Sequence, residues 1–235
     1  HPLGTDELGR DLFIRLSYGG QVSLAVAMVA AVFSAVIGTL LGLLAGYFGG
    51  RLDSLLMRFT DGVISLPLLP LLIALAAIDL EKLGLSAEIA GSENIALYRI
   101  IAIIALVGWT TVARLVRAET LALKNRDFVR AAVALGASAP AIIFRHILPN
   151  SISPIIVATT LSVGNIILLE SVLSFLGMGI QPPIASWGNM LTNAQDLMWS
   201  APALAVWPGL MIFSTVIAFN FLGGGLQDAL DPRAL

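Results

Sequence analysis

The chain has 235 residues, of which 57% are hydrophobic and 12% charged, with a mean hydropathy of +0.92. Soluble domains sit near about 45–50% apolar and about 25% charged, so this balance excludes a water-soluble fold and points to an integral membrane protein. A net charge of −2 excludes the basic face of a nucleic-acid binder, and the lack of cysteine excludes disulfides, thiolate metal sites and cysteine nucleophiles.

The chain opens on His1 without a charged leader and short apolar core, which reads as a fragment or processed piece. Residues 1–19 are too polar to cross a bilayer, but Leu8, Leu12 and Leu16 recur at helical spacing beside Arg10 and Arg15, predicting a short helix at the outer interface. From 20 to 235 the sequence reads as one transmembrane domain. Apolar length predicts five spans, at 21–48, 55–79, 98–116, 151–176 and 203–224. In the first, Gly38, Gly42 and Gly46 recur every fourth residue and let another helix approach closely. In the second, Pro67 and Pro70 predict a kink.

The segment 117–150 interrupts the apolar pattern. Asp127 to Leu135 predicts one short helix stopped by Gly136; Ser138 is placed to cap a second, Pro140 falls in its first turn, and Pro149 ends it. Phe128, Ala132 and Leu135 share one face of the first short helix, while Arg126 and Arg130 share another. An apolar knob edged by positive charge suits a groove on a partner protein, and it equally suits a lipid surface. Beyond the fourth span, Pro182 and Pro183 break the segment 177–202, and Trp187 and Trp199, with Trp207 beyond, read as an interfacial aromatic belt.

The basic residues give the orientation. Arg51, Arg58, Arg114, Arg117, Lys124, Arg126, Arg130, Arg145 and Arg233 fall on one side of the five spans, and Arg10, Arg15, Lys82 and Arg99 on the other, together with Asp79, Glu81, Glu88 and Glu93. The positive-inside rule makes the first side cytoplasmic, the C-terminus included. Five spans then put His1 outside, which predicts an earlier span not contained in this chain.

Catalytic motifs are missing. A phosphate-binding loop requires Gly-Lys before Ser or Thr, and the lysines are Lys82 in EKLG and Lys124 in LKNR. HExxH and GxSxG are absent too, and the histidines, His1 and His146, fall outside the spans. If ATP drives this protein, the nucleotide and its Mg belong to another polypeptide. Within the fourth span Thr159, Ser162, Glu170 and Ser174 fall near one face, with Asn165 alongside. Ser162, Asn165 and Glu170 could line a translocation path; hydrogen bonding between helices is the plainer reading. Asp61, beside Arg58, reads as an ion pair or a cap. An ion-driven carrier is the alternative class, but it calls for inverted repeats and several midplane charges, and neither is seen.

The pattern Ala131-Ala132, three residues, Gly136, then Ile-Leu-Pro149 resembles the "EAA" loop of permease subunits in binding-protein-dependent ABC importers, with Arg130 where that loop has its Glu. HPLGTDELGRD at 1–11, GYFGGRLDSLLMRFTD at 46–61, ALGAS at 134–138, RHILPN at 145–150, LSFLGMGIQPP at 173–183, SWGNML at 186–191 and LQDALDPR at 226–233 are similar to the dipeptide, oligopeptide and nickel branch. The resemblance implies an all-α integral membrane protein of the type I importer fold, with a first span preceding HPLGTD and no enzymatic activity of its own. It implies a homologous second permease, two ATP-binding subunits and an external solute-binding protein, in a bacterial or archaeal inner membrane. It further implies that the helix bearing Phe128, Arg130, Ala131, Ala132 and Leu135, closed by Gly136 and with Pro149 downstream, docks into an ATP-binding subunit. Peptide is the implied cargo, with glutathione and nickel chelates as alternatives. A bulky side chain at Ala132 or Gly136 is expected to uncouple transport without unfolding the spans.

Overall fold

A computed structural model describes residues 1–230 apart from 85, 87, 89–91, 193 and 195, with the side chains of 83 and 93 also left aside. Arg233 and the end of the LQDALDPR tail lie outside the described residues.

The described chain is helical: α1 Leu12–Phe48, α2 Gly50–Ser65, α3 Leu68–Ala76, α4 Glu93–Leu123, α5 Asp127–Ala134, α6 Ala139–Ile142, α7 Leu148–Phe175 and α8 Ala203–Leu230, with a π turn at Ile143–Ile147 and short 3-10 turns at Glu81–Leu83 and Asn189–Leu191. Among the described residues no strand forms beyond an isolated bridge between Thr5 and Asp11. Four helical stretches are long and apolar enough to cross a membrane, Leu12–Phe48, Asn94–Leu123, Ala139–Phe175 and Ala203–Leu230; α2 and α3 make a fifth if taken as one broken span.

Local sequence explains most of the boundaries. Helix α1 begins at Leu12 because Asp11 caps it, its Oδ1 accepting the N–H groups of Phe13 at 2.9 Å and Ile14 at 3.2 Å. The short helix expected within 1–19 is therefore the first turns of the 37-residue α1. The kink expected from Pro67 and Pro70 is a full break: α2 stops at Ser65, and Leu66, before Pro67, is extended at φ −76°, ψ 139°. Pro70 sits in the first turn of α3, where a missing N–H costs no hydrogen bond.

The helices cluster into two compact units. The first comprises His1–Ala30, Leu68–Ile104 and Val163–Asn220, and the second Ala31–Pro67, Ala105–Ser162 and Phe221–Leu235. In the second, the glycine ridge of α1 lies against α4. A Cβ on Gly38 would come within 2.6 Å of the Trp109 carbonyl oxygen, one on Gly42 within 2.6 Å of that of Ala113, and one on Gly46 within 2.6 Å of Thr120 Cβ. Contacts this close are open only to glycine. Leu43, Val112 and Val116 continue the packing into a core completed by Val129, Ile142, Ile143 and Ile147. Arg117 grips Asp53 with two hydrogen bonds, Nε at 2.5 Å and NH2 at 2.7 Å. That grip is the ion pair made here, where sequence suggested Asp61 with Arg58.

In the first unit Leu12, Leu16, Ile167, Leu173 and Ile180 are buried together with Trp187. Of the basic residues, Arg10, Arg15, Lys82 and Arg99 belong to this unit, and Arg51, Arg58, Arg114, Arg117, Lys124, Arg126, Arg130 and Arg145 to the second.

Candidate functional site

Two places concentrate the residues singled out by sequence, one in each unit. In the second unit, the chain leaves α4 at Leu123 and is steadied at once by Lys124, whose Nζ donates to the carbonyl of Gly46 at 3.0 Å and so covers the end of α1. Helix α5 follows, with Asp127 in its first turn, where a carboxylate favours the helix dipole. Its end is a Schellman motif. Gly136 takes φ +80°, its N–H donates to the Val133 carbonyl at 2.9 Å, and the Ala137 N–H donates to Ala132 at 3.0 Å. Sequence placed this stop correctly.

The face of α5 differs from the expected one. Val129 and Ala132 are the buried residues, with Ala132 at 9% exposure, so Ala132 turns toward its own chain and does not share an outward knob with Phe128 and Leu135. Phe128, Arg130, Ala131 and Gly136 are exposed, and Leu135 is 89% exposed. Leu135 thus stands bare at the end of a helix whose other side is held in the core.

Two expectations downstream fail. Ser138 has the extended backbone of a cap, φ −70° and ψ 154°, but its hydroxyl makes no capping bond. Pro149 does not end the second short helix. The chain passes from α6 through the π turn directly into α7, where Pro149 is the second residue, and Ala139–Phe175 runs as one candidate span. Leu148 N–H reaches back five residues to the Ile143 carbonyl, and this wider turn absorbs the hydrogen bond that a proline cannot make. His146, read as outside the spans, lies in that turn and so within the Ala139–Phe175 stretch.

The three residues offered as path lining have different surroundings. Ser162 satisfies itself on the Ala158 carbonyl at 2.7 Å, Asn165 is exposed, and Glu170 is fully buried at 0% exposure. In the first unit, Glu170 gathers two serines: Ser23 of α1 donates to Oε2 at 3.0 Å and Ser174 donates to Oε1 at 2.7 Å. Ser23 was not legible as a partner, 147 residues away in sequence. Trp187 is not a belt residue either. It is 5% exposed and donates its indole N–H to the Leu16 carbonyl at 3.0 Å, whereas Trp199 is 95% exposed.

The polar start of the chain forms its own knot. Asp6 accepts from Arg10 Nε at 2.7 Å, from the Arg10 and Leu8 backbone N–H groups at 2.9 and 3.0 Å, and from the Arg15 guanidinium. Burial raises the Asp6 pKa, but the Arg10 amide, the two arginine side chains and the Leu8 amide outweigh it and hold the carboxyl at about 2. The sequence signal for this knot is the Asp6–Arg10 pair at i, i+4.

Comparison with known proteins places this architecture. Residues 38–235 match the family model described as the binding-protein-dependent transport system inner membrane component. The glutathione transport system permease protein GsiD of Escherichia coli O6:K15:H31 is 46% identical over 99% of this chain and 72% of its own length. The oligopeptide transport system permease protein OppC of Escherichia coli K12 is 42% identical over the same shares. The fold matches that of the MetNI methionine ABC transporter in an inward-facing conformation, with a TM-score of 0.70 at 19% identity over 93% of this chain and 97% of that one. The helices, the Gly136 hairpin and these matches converge: the chain belongs to the family of inner membrane components of binding-protein-dependent transport systems, the permease subunits of ABC importers.

Proposed function

We propose that this permease carries peptides, from dipeptides through glutathione-sized tripeptides to longer oligomers, delivered by an external solute-binding protein. The carrying observation is its 46% identity to a glutathione permease and 42% identity to an oligopeptide permease across nearly the whole chain. It pairs with a homologous second permease. Two ATP-binding subunits hold ATP and Mg on the cytoplasmic side, and this chain contributes no nucleotide site. The basic second unit carries the cytoplasmic ends of the spans, as the positive-inside rule requires, with the C-terminus on that side.

Helix α5 is the docking element. Val129 and Ala132 root it, and Phe128, Arg130, Ala131 and Leu135 meet the ATP-binding subunit, with Gly136 setting the corner and Pro149 the start of the rod behind it. Co-purification of the tagged permease with its operon partners tests this. Leu135→Glu and Gly136→Asp should lose the ATP-binding subunit while retaining the second permease, and Ala132→Asp should lower thermal stability as well, because it buries a charge. Proteoliposome uptake of labelled tripeptide, competed by glutathione but not by a nickel chelate, tests the cargo. Retention of the ATP-binding subunit by both Leu135→Glu and Gly136→Asp, or uptake without ATP, would overturn the reading.

A further inference from the structure

Glu170 is the most deeply buried ionisable group among the described residues of the first unit, and its carboxyl is ringed by serine hydroxyls, Ser186 of the loop after α7 among them. Each carboxyl oxygen receives one serine hydroxyl, and each of those serines in turn receives a backbone N–H from that loop. Trp187 N–H donates to Ser23 Oγ at 3.2 Å, and Ser23 donates to Oε2 at 3.0 Å. Ile180 N–H donates to Ser174 Oγ at 3.0 Å, and Ser174 donates to Oε1 at 2.7 Å. A hydroxyl has one proton to give, so a serine that accepts from the loop can pass the pull on only if an acceptor stands behind it. One carboxyl with two acceptor oxygens serves both arms.

The loop between those two amides is a preformed unit. Asn189 accepts from the Ser186 N–H at 3.1 Å and donates to the carbonyls of Ile184 at 2.7 Å and Ile180 at 3.2 Å, closing it on itself. It is seated where α1 has no side chains: a Cβ on Gly20 would meet the Trp187 ring at 2.7 Å, and one on Gly19 would meet the Ser186 backbone at 3.2 Å. Gln181, Pro182 and Asn189 of the same loop wall a cavity of about 170 Å³ opposite Asp6, Arg10 and Arg15. The seated loop is therefore also one wall of a cavity of mixed polar and apolar lining on the face bearing the N-terminal knot.

We propose that Glu170 is a positioning residue for import, a clasp that seats the Ile180–Trp187 loop through two serine relays so that the loop presents one fixed face to the loaded solute-binding protein. This rests on the importer orientation argued above, in which that loop lies outside. The two arms are separable, which distinguishes a clasp from general packing.

The assembled transporter in lipid nanodiscs carries the test, by amide-resolved hydrogen exchange and by uptake kinetics against loaded binding protein. Ser23→Ala should speed exchange of the Trp187 amide about tenfold and leave Ile180 slow; Ser174→Ala should do the reverse; Glu170→Leu should speed both. In uptake, the KM for loaded binding protein should rise about fivefold in each variant, with kcat changed less than about twofold. If Glu170→Leu fails to assemble, the two serine variants decide the matter alone. Unchanged exchange at both amides, or equal loosening of both by either serine variant, overturns the clasp. Faster exchange with a fall in kcat and an unmoved KM overturns the positioning role. Failure of the unmodified transporter to import peptide would sink the cargo assignment, while the exchange measurements still decide the clasp.

Discussion

Two glycines stand side by side in importance and differ in what they need. Gly42 has an ordinary backbone and no room: a methyl there meets the Ala113 carbonyl oxygen at 2.6 Å and Val116 Cβ at 2.8 Å. Gly136 has room on every side but φ +80°. Gly42→Ala should therefore force α1 and α4 apart and cost about 1–3 kcal/mol, while Gly136→Ala should cost about 1–2 kcal/mol of left-handed strain. Asparagine separates the two causes. In thermal unfolding in detergent, Gly136→Asn should recover part of the loss, since asparagine tolerates this conformation, and Gly42→Asn should be worse than Gly42→Ala. Asp6 gives a prediction with a definite sign. Its folded pKa of about 2 lies below the ordinary aspartate value of 3.8, so its contribution is complete above about pH 4 and is lost as pH falls through about 2. Exchange of the Leu8 and Arg10 amides should stay slow to about pH 3, and Asp6→Asn should speed it at neutral pH.

Among elements, sequence was most readable where one local force acts unopposed. Long apolar runs declared the spans, and Gly136 declared a Schellman end; the structure adds a second at Gly177, whose φ is +76° and where Met178 N–H reaches the Leu173 carbonyl at 2.8 Å. It failed where a distant partner outweighed the local rule. Pro149 read as a terminator by its effect on the preceding residue, yet Ile142, Ile143 and Ile147 are held in the core on the same stretch, and the backbone widens to a π turn instead of breaking. Trp187 read as an interfacial ring, because its seat is built by Gly19, Gly20 and Leu16, far off in the chain. Of the candidate site, the turn at Gly136 was legible and the buried side of α5 was not. Phe128, Ala132 and Leu135 fit one helical face, and only the core beneath shows that Ala132 belongs with Val129.

For the molecule as a whole, sidedness is the statement most open to direct test, and the absence of cysteine makes the native chain its own background. Leu135→Cys and Trp199→Cys sit at 89% and 95% exposed positions. With the permease expressed without its ATP-binding subunit, a membrane-impermeant maleimide should label the first and spare the second in sealed inside-out vesicles, and in right-side-out cells the pattern should invert. Labelling of both from one side would refute the topology. The glycine ridge bears on how such a molecule can move. Gly38, Gly42 and Gly46 bring α1 and α4 so close in the second unit that a single added Cβ would meet the neighbour at 2.6 Å. Lys124 bolts the end of one to the start of the hairpin borne by the other. In mechanical language the pair is a girder with α5 at its end, and on the docking proposed above a push at Phe128 or Leu135 is expected to be handed on as displacement rather than spent as twist.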